Sequence, residues 1–398
     1  MKKRLFAFIV VIAALVLSAG CGPAAASWGE LKIPKGGKVT IGVSSALSAG
    51  YAVYGQDMLN GVNLAIEKFG GKLKGFPVVA VGGDDQCEGA PGVTVAEQFS
   101  ADPTLLGVVG PMCSGSIVPA EDIYGKNHIL MITPSGTAVI VTAKGFENVF
   151  RTIPNDDKQA EVTVDYLTKT LNVKTLAVVH DSSIYGQGVA EAVQKKFLAA
   201  GGKVSGFQGV TRGDTDFSAV VSAVVAGKPD AVYFGGMDAE GALMVNQLRK
   251  GGFTGIFFGP DGLKSKPSYV DASGGAAEGS YMTFGAAPGA VGFDDFKAAF
   301  KAKYPDVNKG EPVAYGPGSY DDAMFMLKAA DAVGKVDKDG NLVIDRKALV
   351  DYLRANPWVG VTGKFVFDKA GDPTVVTLTV FKVIGGEIVP QKEYKFGE

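Results

Sequence analysis

Two loops carry the residue types best suited to holding an anion. They are Gly110-Pro111-Met112-Cys113-Ser114-Gly115-Ser116 and Thr133-Pro134-Ser135-Gly136-Thr137. Each follows a short apolar run and opens a helical pattern, so hydroxyls and unpaired N–H groups gather at a helix N-terminus, where negative charge is favoured. Singly, each loop reads more simply as a helix cap. On successive strands they point to one shared carboxylate site. The second half offers acids instead. Asp238 and Glu240 follow one apolar run, and Asp261 sits in Gly259-Pro260-Asp261-Gly262 after another. A hydroxyl-rich face opposite an acidic one suits a zwitterion with a carboxylate and an ammonium. His180-Asp181-Ser182-Ser183 raises a Ser/His/Asp triad, but neighbours on one short loop do not reproduce the nucleophile–base–orienter geometry. With two histidines and three cysteines in 398 residues, a His/Cys zinc cage is not expected. H-E-x-x-H, G-x-S-x-G and Walker-type patterns do not occur, and no cofactor is expected.

The elements that must position these loops alternate regularly. Apolar runs at Val39–Val43, Val78–Val81, Leu106–Val109 and Ile129–Ile132 are separated by helical spacings over Gly55–Phe69, Gly92–Ala101 and Ile117–Tyr124. A second series starts after Pro154, with runs at Thr175–Val179, Lys203–Phe207, Ala231–Phe234 and Ile256–Phe258 between helices. Buried strands alternating with amphipathic helices predict an α/β fold of two doubly wound lobes with parallel sheets. Ligands of such sheets sit beyond the carboxyl ends of the strands, where the loops above lie. The tail departs from the pattern. It reads as helices Phe293–Tyr304, Ser319–Val333 and Arg346–Ala355, then a hairpin of Lys364–Phe367 with Thr377–Val383. Glycine, 55 residues or about twice its usual share, fits many tight turns. A net charge of −2 without a basic cluster argues against nucleic acid.

The first residues read as an address. Lys2, Lys3 and Arg4 precede a 13-residue apolar run, Leu5–Leu17, which is short for a membrane span but right for a signal peptide. Ser18-Ala19-Gly20-Cys21 looks like a lipobox, with residues 1–20 removed, Cys21 lipidated and residues 21–37 serving as an Ala/Gly/Pro tether. The other reading is an ordinary signal peptide with an incidental cysteine. Export leaves Cys87 and Cys113 as an even pair in an oxidising compartment. They are a bridge, worth roughly 3–4 kcal/mol on the chain-entropy model, or two buried thiols.

Longer motifs then give a resemblance. Ile41–Gly55 (IGVSSALSAGYAVYG), Asp84–Cys87 (DDQC), Cys113–Ser116 (CSGS), Ile129–Thr137 (ILMITPSGT), His180–Gly188 (HDSSIYGQG), Asp216–Ser218 (DFS), Val232–Gly236 (VYFGG) and Gly259–Gly262 (GPDG) recur in order. From Lys38 to Val383 the chain resembles a type I periplasmic binding protein of the leucine/isoleucine/valine-binding family, the capture component of ABC importers. The resemblance implies that Cys87 and Cys113 are bridged. It also implies a carboxylate held by Ser114, Thr137 and the backbone of Ser135, with Tyr54, Tyr185 and Tyr320 lining the pocket. Asp261 matches the acid that takes the ligand ammonium, although that acid is typically Glu. Met237 stands where an aromatic is usual.

The expectation is therefore an exported, lipid-anchored and monomeric solute receptor. It would bind an aliphatic amino acid by lobe closure and deliver it to membrane permease subunits. Its lobes would be residues 38–155 plus 284–377 and residues 156–283 plus 378–398, hinged near Pro154, Thr283 and Thr377. The competing readings are an amide, urea or other small carboxylate in the same fold, a sensor module, and an enzyme using His180 and Asp181.

Overall fold

A computed structural model describes residues 28–285 and 290–397, so the leader and Cys21 lie outside the described residues. Two sheets organise the chain. The first has six strands, in the order Lys72–Leu73, Phe76–Asp84, Val39–Ser45, Leu105–Val109, Leu130–Thr133 and Val149–Arg151. All its pairings are parallel except that of the two-residue edge strand. Val39–Ser45 and Leu105–Val109 are buried along their whole length, as strands covered by helices on both faces must be.

The second sheet has seven strands. Its parallel part runs Tyr281–Phe284, Ile256–Gly259, Ala231–Gly235, Thr175–His180 and Lys203–Gly209. Val376–Ile384 and Glu387–Phe396 extend it antiparallel beside Tyr281–Phe284. The chain thus passes between the sheets three times: after Arg151, after Phe284 and ahead of Val376. Between the last two passages it forms helices Phe293–Lys303, Gly316–Val333 and Arg346–Ala355. Gly316–Val333 lies against helix Ala52–Phe69 of the first sheet. Gly61 permits that approach, since a Cβ there would stand 2.1 Å from the Gly316 carbonyl oxygen.

Two expectations about the ends of the chain are corrected. Glu30–Ile33, placed in the tether, is a strand paired antiparallel with Leu342–Asp345. Its alternation buries Leu31 and Ile33, a signal too short to emerge from an Ala/Gly/Pro-rich stretch. The hairpin of Lys364–Phe367 with Thr377–Val383 does not form. Gly363–Phe365 pairs instead with Trp358–Gly360, and Val376–Ile384 turns at Gly385-Gly386 into Glu387–Phe396. That last strand is largely exposed and polar, so no apolar run announces it.

Cys87 and Cys113 are joined, with 5.0 Å between their Cα atoms, and tie together the loops after Phe76–Asp84 and Leu105–Val109, the two strands that flank Val39–Ser45. Alkylation of the non-reduced protein should therefore label neither thiol. Replacing both by serine should lower stability by roughly 3–4 kcal/mol, since the bridge closes a loop of about 26 residues. Quantitative labelling of both thiols in exported protein would overturn the pairing.

Candidate functional site

The loops at the carboxyl ends of both sheets meet around one small cavity. Met112, Ser114, Gly115 and Ser135 line it from the first sheet, and Tyr185, Arg212, Met237 and Asp261 from the second. Tyr315, just ahead of helix Gly316–Val333, closes the side. The remaining space is about 20 Å³, enough for roughly one water.

The hydroxyl face is held rigidly. Gly110 has φ +100°, and a Cβ there would stand 2.1 Å from the Ser44 carbonyl oxygen, so glycine is required where the first loop starts. Ser135 donates its hydroxyl to the Met112 carbonyl at 2.7 Å, which links the two loops. The Ser114 hydroxyl accepts from the Ala138 N–H at 3.3 Å and keeps its own proton free to donate. The Thr137 hydroxyl is fully buried beside the Asp156 carboxyl. Beneath the second loop lies Arg151, itself fully buried. It donates to the Gly136 and Ala138 carbonyls at 2.9 Å each, to Asp372 at 2.5 Å and to Thr142 at 2.6 Å.

The acidic face centres on Asp261. Its carboxylate accepts from the Tyr185 hydroxyl and from the Gln159 amide, both at 2.7 Å, and from the Tyr315 hydroxyl at 3.0 Å. The Tyr185 oxygen itself accepts from the Gly262 N–H at 2.9 Å, which directs its proton to Asp261. Gln159 Oε1 in turn takes the Asp261 N–H and the Thr283 hydroxyl. Burial raises the Asp261 pKa, against the pull of these donors. Asp156 is pushed up to about 8, chiefly by burial and then by the charge of Asp261, while the neighbouring Thr137 hydroxyl pulls the other way. No cation pairs with Asp261 among the described residues. A positive group entering the cavity would thus meet the buried Asp261 carboxyl, which is costly to ionise alone.

Contacts between the two sheets' loops draw the site shut. Tyr54 donates to Asp238 at 2.5 Å and Tyr51 to Glu240 at 3.5 Å. Arg212 stands 3.5 Å from Asp181 and 3.6 Å from Glu88, with its guanidinium 5.5 Å from the centre of the Tyr51 ring.

Five expected site residues, Ser114, Ser135, Tyr185, Met237 and Asp261, therefore share one cavity. Thr137 lies behind it, and Tyr54 backs it through a ring contact with Tyr315 at 5.7 Å. Tyr320 does not belong there. Its ring packs on Phe296 at 5.2 Å, and Tyr315 takes the aromatic place beside the cavity. Sequence reading missed Tyr315, Arg212 and Gln159. Arg212 was within reach of the strand-end rule, since it follows strand Lys203–Gly209. Gln159 carries no local signal. The triad reading fails on geometry. His180 Nδ1 accepts from the Ser182 N–H at 3.1 Å, its ring lies on Phe207, and the Ser183 hydroxyl donates to Asp181 at 2.6 Å, so no nucleophile meets the imidazole.

Two doubly wound sheets whose carboxyl-end loops meet around a shared cavity define a bilobal binding protein. Over residues 38–387 the chain matches the periplasmic binding protein family and belongs to it, in the type I branch that includes the Leu/Ile/Val-binding proteins. An amino acid binding protein of Pseudomonas aeruginosa is 33% identical over 350 residues, covering 86% of this chain and 90% of its own. The Leu/Ile/Val-binding protein homolog 3 of Brucella melitensis is 34% identical over 356 residues, covering 88% and 93%. Among solved structures, the leucine-binding protein LivK of Thermotoga maritima superposes with a TM-score of 0.81 at 26% identity, covering 89% of this chain and 98% of its own. Members of the family bind solutes outside the cytoplasm for ABC importers and are not enzymes.

Proposed function

We propose that this protein captures an aliphatic, branched-chain type α-amino acid between two lobes and presents it to an ABC permease. The lobes are residues 38–155 plus 284–377 and residues 156–283 plus 378–398. One observation carries the reading: a hydroxyl-rich loop pair and the buried Asp261 line the same cavity from opposite sheets. Ser114, the Ser135 backbone and Thr137 receive the carboxylate. Asp261 takes the ammonium, and Tyr185, Tyr315 and Met237 surround the aliphatic side chain. The relatives named above, an amino acid binding protein and a Leu/Ile/Val-binding homologue, support that ligand class. Because the ligand touches both lobes only when they close, binding favours the closed population, and the lobes part to admit it.

Calorimetry with leucine, isoleucine and valine tests the reading. Combining Ser114→Ala with Thr137→Val removes two hydroxyl donors, each worth roughly 1.5–3 kcal/mol toward a charged group. Affinity for the bound amino acid should fall more than about tenfold. Unchanged affinity would place the ligand elsewhere.

The same reading holds the mature protein at the membrane through lipid on Cys21. Metabolic labelling with a radioactive fatty acid should mark the wild type and not Cys21→Ser, whose ligand affinity should stay the same. Lipid remaining on the variant would defeat the anchor.

A further inference from the structure

We propose that a second cavity, behind Tyr315, binds a small monocarboxylate with an apolar tail through Lys264. The space is about 190 Å³ and shares no lining residue with the cleft site. The rings of Tyr315 and Phe284, 6.0 Å apart, stand between the two. Phe284, Phe293, Pro317, Val361 and Phe381 make its walls apolar.

The one cationic group on this wall is Lys264. Among the described residues its ammonium has no ion pair and no hydrogen bond. It lies over the Phe284 ring at 4.3 Å, with the Phe381 ring at 5.5 Å. The nearest acid whose charge it feels, Asp57, is committed elsewhere: its oxygens accept the N–H groups of Val313, Ala314 and Gly316. The residue is half-buried, and desolvation of its ammonium lowers the Lys264 pKa, to about 8, as expected for an ammonium without an anion beside it. Aromatic faces offset only part of the cost of a desolvated cation. A carboxylate would offset more, and the surrounding walls, Thr362 apart, suit an apolar remainder. An alcohol of equal length lacks the charge, and an amine carries the wrong one.

Hexanoate is the probe. Titration should show one hexanoate bound to the wild type and, with affinity unchanged within threefold, to the Ser114→Ala/Thr137→Val variant. Lys264→Met, similar in size and uncharged, should weaken it at least tenfold while melting within a few degrees of the wild type. Lys264→Arg should keep the preference of hexanoate over 1-hexanol. Lysine acetylation by a limiting reagent, read by mass spectrometry on the wild type, gives a measure independent of the variants' folding. Saturating hexanoate should slow labelling of Lys264 at least fivefold relative to the exposed Lys250, and hexylamine should not. Loss of hexanoate binding in the cleft variant, equal affinity in Lys264→Met, or absence of Lys264 protection would each overturn the proposal.

Discussion

Asp261→Asn should lower affinity for leucine about 30-fold or more and leave 4-methylpentanoate, the same molecule without its amine, within about threefold. The substitution keeps shape and one acceptor oxygen while removing the charge. In the wild type the carboxylate is fully buried and held by Tyr185, Tyr315 and Gln159, none of them cationic. An ammonium entering the cavity would be its only full counter-charge. Truncating one partner of a buried, hydrogen-bonded charge pair costs 2 kcal/mol or more, and about 1.4 kcal/mol is tenfold in affinity. The deaminated acid brings no cation, so removing the charge relieves it of a buried anion and can even help. Calorimetry with both ligands on both proteins, each carrying Lys264→Met so that the acid reports on the cleft alone, decides. Equal weakening of the two would make Asp261 a structural residue and remove the amine from the ligand.

Arg151→Met should destabilise the protein by about 3–5 kcal/mol, read as a lower urea midpoint at unchanged slope. The side chain is fully buried, and its guanidinium pairs with Asp372 while holding two carbonyls of the Thr137 loop. Methionine refills the volume but leaves the half-buried Asp372 without its cation and the buried Gly136 and Ala138 carbonyls without donors, and the two orphaned carbonyls carry most of the cost. Asp372 keeps contacts with Thr142 and Asn155, so Asp372→Asn alone should cost less than Arg151→Met. In the double variant the two losses should not add. A loss under about 1 kcal/mol for Arg151→Met would mean that the loop is held by its backbone alone.

Much of this architecture was legible because parallel strands covered on both faces must be apolar throughout. Val39–Ser45, Leu105–Val109 and Ala231–Gly235 announce themselves that way. Each pattern ends where a functional loop begins, which is why Ser114 and Asp261 could be placed, whereas Met237 came from the resemblance. What failed depended on register or on distant partners. The helix read from Ser319 begins at Gly316. That shift leaves Tyr315 at the helix N-cap facing the cleft, and turns Tyr320 toward Phe296. Gln159 reaches Asp261 from 102 residues away, a relation no local pattern contains. Glu387–Phe396 joins the sheet as a polar edge, where burial no longer writes an apolar code.

The pairing of Glu30–Ile33 with Leu342–Asp345 bears on how far the receptor can roam. With lipid on Cys21, the chain from that residue to the folded body is at most about nine residues, or roughly 30 Å fully drawn out. A receptor so anchored would sample a thin shell above the bilayer, and its encounter with a permease would be set by the leash rather than by bulk concentration. Any tug on the leash would fall first on the Trp28 ring, stacked on His128 at 4.5 Å, and then on a four-residue edge pairing. The strand that starts the fold is thereby the part through which the membrane would pull on it.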